Sequence, residues 1–169
     1  MNNAIPFTEC VAKSDYNTHE LGITVIEHSE NVASVAKVLK EFYPECWYIQ
    51  KYGVIIAALH DVGKISPAFV YNIYNPDRLK KMYDLTVNEL LPETKIKCRH
   101  EIVSWYSISN YLNIRYKKCK IGEAIGMHHG WNNPPPGGRV LKDFATDDRF
   151  GQKEWENERF KFIQHMENK

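Results

Sequence analysis

The chain has 169 residues, 43% of them hydrophobic, which is enough for one domain with a real core and too few for a fold of several hundred residues. An aromatic content of 12%, with 22 Lys+Arg against 21 Asp+Glu, excludes disorder by composition. The net charge of +1 gives no global field for nucleic acid, so such a partner has to be argued from local charge.

In chain order, the first periodic segment is Glu27 to Tyr43. There His28, Val32, Val35, Leu39 and Phe42 recur at steps of four and three and predict one apolar helix face, stopped by Pro44. A second helix, apolar nearly all round and so expected at the centre of the core, is predicted from Gln50 to His60. Gly63 follows it where a left-handed C-terminal residue would stand. Between Ser66 and Pro92, with Pro67 and Pro76 as punctuation, one or two short helices are expected. Arg99 to Leu112 predicts another, with Ile102, Val103, Tyr106 and Tyr111 on its apolar side. Gly122 to Met127 is a short apolar helix running into His128-His129-Gly130. Asn132 to Gly138 contains three consecutive prolines and has to be a loop. The last helix is predicted from Gly151 to Glu167, with Trp155, Arg159, Phe162, Ile163 and Met166 along one side. No alternating strand pattern competes, so the expected fold class is all-α, in one domain over residues 1–169.

The longest apolar run, Val54 to Leu59, has six residues against the roughly 20 of a membrane span, and no membrane partner is expected. Met1 to Pro6 lacks the layout of a secretory signal, so the expected location is cytoplasmic. Cys10, Cys46, Cys98 and Cys119 are 36, 52 and 21 residues apart, which leaves no C-x-x-C pair and reads as four plain thiols.

The chemistry lies in the histidines. His28 opens the first helix, His60-Asp61 ends the second, His100 begins the helix after residue 99, and His128-His129 follow the short apolar helix. Each sits at a helix terminus, where a side chain can enter a shared cavity while the helix body packs. Imidazole with carboxylate suits Fe, Mn, Co, Ni or Zn, and an Asp can bridge two ions through its two oxygens. Paired ions about 3.5–4 Å apart are a known device for phosphoester hydrolysis. His19 and His165 carry no assigned role.

The run from Leu59 through His60-Asp61-Val62-Gly63-Lys64-Ile65-Ser66-Pro67 to Phe69 resembles the motif that names the HD metal-dependent phosphohydrolases. With Arg99-His100-Glu101, His128-His129-Gly130 and Glu154-Trp155 to Arg159, the chain resembles the HD nuclease domain of the type I CRISPR-associated helicase-nuclease. The resemblance implies an HD helical bundle with its metal site at helix ends, acting on single-stranded DNA. It implies that His28, His60 and Asp61 hold one ion, that Asp61 bridges, and that His100, His128 and His129 hold a second. The ions implied are one or two of Fe2+, Mn2+, Ni2+, Co2+ or Mg2+. Asp61 and Lys64 are the implied catalytic residues, Lys64 being placed to meet a scissile phosphate or to orient the site. Ser66 reads as a cap and Phe69 as a core anchor.

The family also has a final Asp ligand on a later helix; here no Asp follows Asp148, so the resemblance implies a chain without the family's C-terminal helices. Three readings stay open: a piece of a longer nuclease, a centre that works mainly through the second ion, or a non-catalytic binding module. No G-x-x-x-x-G-K-[ST] phosphate loop is present, so a helicase domain, in cis or trans, and the CRISPR surveillance complex enter as partners only. Residues 95 to 120 hold seven basic side chains against Glu101 alone, leaving 15 against 20 elsewhere. Arg99, Lys117 and Lys118 in that stretch are candidate backbone contacts, and Trp131 beside the histidine pair is a candidate stacking platform. An HD phosphohydrolase acting on nucleotides or small phosphoesters is the alternative enzyme.

Overall fold

The computed structural model describes residues 4–15, 18, 20–74, 76–86, 99–112, 120–130 and 150–169. These residues form seven α-helices and, among them, no strand: α1 Val25–Leu39, α2 Trp47–Leu59, α3 Pro67–Ile73, α4 Pro76–Tyr83, α5 His100–Leu112, α6 Ile121–Gly126 and α7 Lys153–Glu167. Single turns of 3₁₀ helix at Lys40–Phe42 and Val62–Lys64 follow α1 and α2. The fold class is all-α, as the sequence predicted. No helix among the described residues is by itself long and apolar enough to cross a membrane.

Thr24 starts α1 with a capping box: its hydroxyl accepts from the Glu27 N–H while the Glu27 carboxylate accepts from the Thr24 N–H. That closes two of the backbone donors that every helix start leaves open. The cap sets where His28 stands, one residue beyond the box. Ahead of it, an N-terminal arm of residues 4–15 pairs with residues 20–25 through antiparallel bridges Val11–Thr24 and Ser14–Leu21. Ile5 and Cys10 of this arm are buried, as is Val25, and burial pushes the Cys10 thiol well above its usual range. Cys10 and Cys46 are free thiols, the second half-buried; Cys98 and Cys119 lie outside the described residues.

Three expectations need correction. On α1 the buried stripe is Val25, Ser29 and Ala33, whereas Val35, Leu39 and Phe42 are exposed, Phe42 at 73%. Small residues let α1 lie close on α2, and that choice turns the larger apolar side chains outward. Helix α2 does contact α1, α6 and α7, but Val54 to Ala57 are only half-buried. A cavity of about 340 Å3 between α1, α2 and the end of α7, lined by Ala33, Val54, Ile55, Ala58 and Met166, leaves that side of α2 uncovered. Gly63 has no left-handed backbone; it lies inside the Val62–Lys64 turn, and a Cβ there would fall 1.9 Å from the His100 carbonyl oxygen. Its glycine is required by close approach to α5, not by a helix cap.

The core joins Leu59, Val62 and Ile65 around that turn to Ile108 of α5, Ile125 of α6, and Phe162 and Ile163 of α7. Helix α6 presses on α5 through Gly122 and Gly126, whose Cβ positions would collide with Ser109 and Trp105. Trp105 is therefore core, Tyr106 packs edge-on against Phe150, and Tyr111 packs against Phe160. Gly63→Ala should cost about 3 kcal/mol, the upper end of overpacking penalties, read as a lower midpoint in urea denaturation.

Candidate metal centre

Each histidine expected at the site is delivered by a helix end. His28 lies in the first turn of α1, His60 is the C-cap of α2, His100 opens α5, and His128 and His129 follow the C-cap of α6. The Asp61 carboxylate, 4% exposed, is where they meet. Its Oδ2 lies 3.0 Å from His28 Nε2, 3.1 Å from His60 Nε2 and 2.8 Å from Lys64 Nζ. Its Oδ1 lies 3.0 Å from His100 Nε2 and 3.5 Å from His128 Nε2. The two oxygens thus divide the histidines into two groups.

The ring orientations are set by the backbone. His60 Nδ1–H donates to the Ala57 carbonyl at 2.7 Å, and His128 Nδ1–H donates to the Ile125 carbonyl at 2.6 Å. A carbonyl can only accept, so in the neutral rings Nε2 carries the lone pair and faces Asp61. Outer partners of this kind fix tautomer and direction in metal-bound histidines. His129 Nε2 faces His100 Nε2 at 3.1 Å, two nitrogens aimed at one small volume.

Electrostatics follow from one carboxylate among many imidazoles. Burial alone would raise the Asp61 carboxyl, but the interactions with His100, His128 and His60 hold it far below the ordinary carboxylate range. Burial disfavours the charged form of His28 more than Asp61 restores it, so its pKa is lowered. His129 is lowered by burial and by neighbouring His128 and His100. For His128 the burial penalty is outweighed by Asp61 and the Ile125 carbonyl, and its pKa is raised.

The residues fit a divalent cation. His28, His60 and Asp61 can each offer a ligand atom with all three atoms within 4.8 Å of one another, and so can His100, His128 and His129. His128 Nε2 is buried without a hydrogen-bond partner. Nitrogen and carboxylate donors in this ratio suit transition metals more than calcium. His129 is exposed and His28 only half-buried, so the cluster opens to solvent.

Lys64 lies at the site, its ammonium on Asp61 and 5.5 Å over the Phe69 ring. Phe69, expected as a core anchor, is half-buried and meets His100 edge-on at 5.6 Å; it walls the centre. Ser66 does cap α3, accepting from the Phe69 N–H, and its own hydroxyl donates to the Gly63 carbonyl. Arg99 is paired with Glu101, whose other carboxylate oxygen lies 3.8 Å from His100 Nδ1. Trp131, Lys117, Lys118 and Asp148 lie outside the described residues.

Sequence reasoning missed two supports. Ser104 on α5 accepts from the Gly63 N–H at 2.8 Å, fixing the turn that follows Asp61. Arg159, noted only as part of the last helix's apolar side, is completely buried beneath that turn. A charged residue inside an apolar stripe was the signal.

The all-helical bundle with a histidine-aspartate cluster at its helix ends defines an HD domain. The family model described as Cas3, HD domain, matches residues 12–169, and the chain belongs to that family. Membership indicates a CRISPR-associated, HD nuclease-type function. A solved structure described as "Crystal structure of CRISPR-associated protein" superposes with a TM-score of 0.69 over 99% of this chain at 16% identity. The chain spans 20% of the length of that solved protein, and at this identity the likeness speaks for the fold. No curated protein matches the sequence.

Asp61→Ala should release metal from a chain loaded with Mn2+ or Co2+ and then dialysed. The affinity loss should exceed the roughly 10–100-fold typical of an outer partner. Elemental analysis of metal per chain, against an unsubstituted control retaining one or two ions, checks it.

Proposed function

We propose that the chain is a metal-dependent nuclease domain that hydrolyses single-stranded DNA phosphodiesters in type I CRISPR interference. The observation that carries the reading is the division of Asp61, one oxygen toward His28 and His60 and the other toward His100 and His128. Family membership supports it.

One or two ions drawn from Fe2+, Mn2+, Ni2+, Co2+ or Mg2+ would supply an activated water and offset charge on the phosphate. The protein's own residues do the rest. His28, His60 and Asp61 would hold one ion; His100, His128 and His129, with Asp61 shared, would hold the second. Ala57 and Ile125 carbonyls keep two of the rings presenting Nε2. Lys64, its ammonium 2.8 Å from Asp61, is the cation of this chain that would stabilise charge developing on the phosphate as the diester is attacked. Phe69 excludes water from one flank of His100.

Arg99, Lys117 and Lys118 are proposed backbone contacts and Trp131 a base platform, in a chain whose partners are the surveillance complex and a helicase domain in cis or trans. Its proposed location is the cytoplasm. The open face at His129 favours a polymer substrate over an enclosed nucleotide.

The test is labelled single-stranded DNA with each metal in turn, beside Asp61→Ala. Metal-dependent cleavage that Asp61→Ala abolishes is expected. Absence of cleavage with every metal, together with no bound metal, overturns the proposal, and turnover of nucleotides but not DNA replaces it with a small-phosphoester hydrolase. Lys64→Met should lower turnover on the order of 10²-fold while leaving metal content unchanged, as loss of one charge-stabilising donor does.

A further inference from the structure

We propose that Arg159 is a positioning residue that fixes the turn carrying Asp61 and Lys64, a role that rests on reading that turn as part of the hydrolytic centre. Arg159 is 1% exposed and stands among the largest fully buried side chains, on the apolar stripe of α7 with Trp155, Phe162 and Ile163. Its Nη1 donates to the Ile65 carbonyl at 3.0 Å and to the Phe150 carbonyl at 2.6 Å.

Ile65 is the residue after Lys64, and its own N–H closes the turn on the Val62 carbonyl at 3.1 Å. The turn is therefore held from separate elements. Ser104 of α5 takes the Gly63 N–H, Ser66 donates to the Gly63 carbonyl, and Arg159 of α7 takes the Ile65 carbonyl. Lys64 lies between the second and third of these points, and Asp61, whose carbonyl accepts the Lys64 N–H at 2.9 Å, just before the first.

A methionine or leucine would fill the same apolar volume without desolvating a charge. A buried guanidinium is costly unless its donors are used, and what it offers in return is a far-reaching terminal nitrogen, Nη1, whose two N–H groups serve carbonyls from different segments at once. That is a geometric service. It ties the position of Lys64 and Asp61 to the packing of α7.

Arg159→Lys and Arg159→Met in the whole chain test this, beginning without metal. Amide hydrogen exchange by NMR at Lys64 and Ile65 is compared with reporters at Ala58 in α2 and Ile108 in α5. Expected is exchange accelerated about tenfold more at the turn than at the reporters, together with Co2+ affinity about tenfold weaker by absorption titration, the scale of a lost outer partner. Lysine keeps a charged donor, but its side chain ends one bond short of the position of Nη1, so it should fall between the native chain and methionine. Uniform acceleration at turn and reporters overturns the proposal, as does failure of both variants to fold, since either makes residue 159 a determinant of general stability. A loosened turn with unchanged Co2+ affinity overturns it as well. If the native chain binds no Co2+, the metal-centre reading falls by itself, and the exchange result alone decides whether Arg159 fixes the turn.

Discussion

One buried carboxylate organises this molecule. A charged Asp in a protein interior costs several kcal/mol of lost hydration unless partners replace the water. Asp61 has four imidazole nitrogens and an ammonium group within 3.5 Å. Those partners cannot all be cations. Ring centroids 4.3 Å apart for His128 and His129, and 5.2–5.4 Å apart for His60 and His128, His100 and His128, and His28 and His60, set like charges against one another. The opposed pKa directions, His128 raised but His28 and His129 lowered, express that competition. A divalent cation on each side would concentrate the positive charge that Asp61 attracts and free the rings to stay neutral ligands.

Helix ends are the structural answer to placing so many polar rings together. A mid-helix histidine has its neighbours three and four residues away to accommodate, whereas a terminal one projects past the packed body. The termini also supply unused carbonyls. Ala57 and Ile125, each three residues before its histidine, offer such a carbonyl to orient a ring, Ile125 while also accepting the His128 backbone N–H at 3.3 Å. At the start of α1 the Thr24 capping box fixes where His28 stands, and the Ser104 contact with Gly63 ties α5 to the turn after Asp61.

Much of this was legible in the sequence because it is local. Periodicity located the helices, and the recurrence of histidine at predicted termini pointed to a common cavity. What depended on a distant neighbour was not legible. The period of α1 gave a face but could not say that Ala33, rather than Val35 and Leu39, would meet α2. Gly63 looked like a cap because its local position suits one; its reason lies in the His100 carbonyl, far along the chain. Neither the motif run ending at Phe69 nor its hydrophobicity separates a core anchor from the wall of a polar site, and its place against His100 and Lys64 is a tertiary fact.

The last helix shows why the centre depends on the whole bundle. Two adjacent charged residues on α7 are buried and serve different ends of the chain. Glu158 accepts from the Phe7 N–H at 2.9 Å and from Lys161 at 2.6 Å, anchoring the N-terminal arm, while Arg159 holds the turn after Lys64. The arm in turn leads into the cap that places His28, since the Val25 N–H donates to the Cys10 carbonyl at 2.7 Å. His28 and the turn after Asp61 therefore both trace back to one helix that contributes no histidine to the cluster. Because the ligand set exists only when α1, α2, α5, α6 and α7 are all in place, a cation that binds it binds the native state alone. At a concentration 100 times its dissociation constant such a cation would add about 2.7 kcal/mol to stability. Binding and folding are then one equilibrium, and a substitution in α7 reaches the cluster through the backbone of a turn it never leaves.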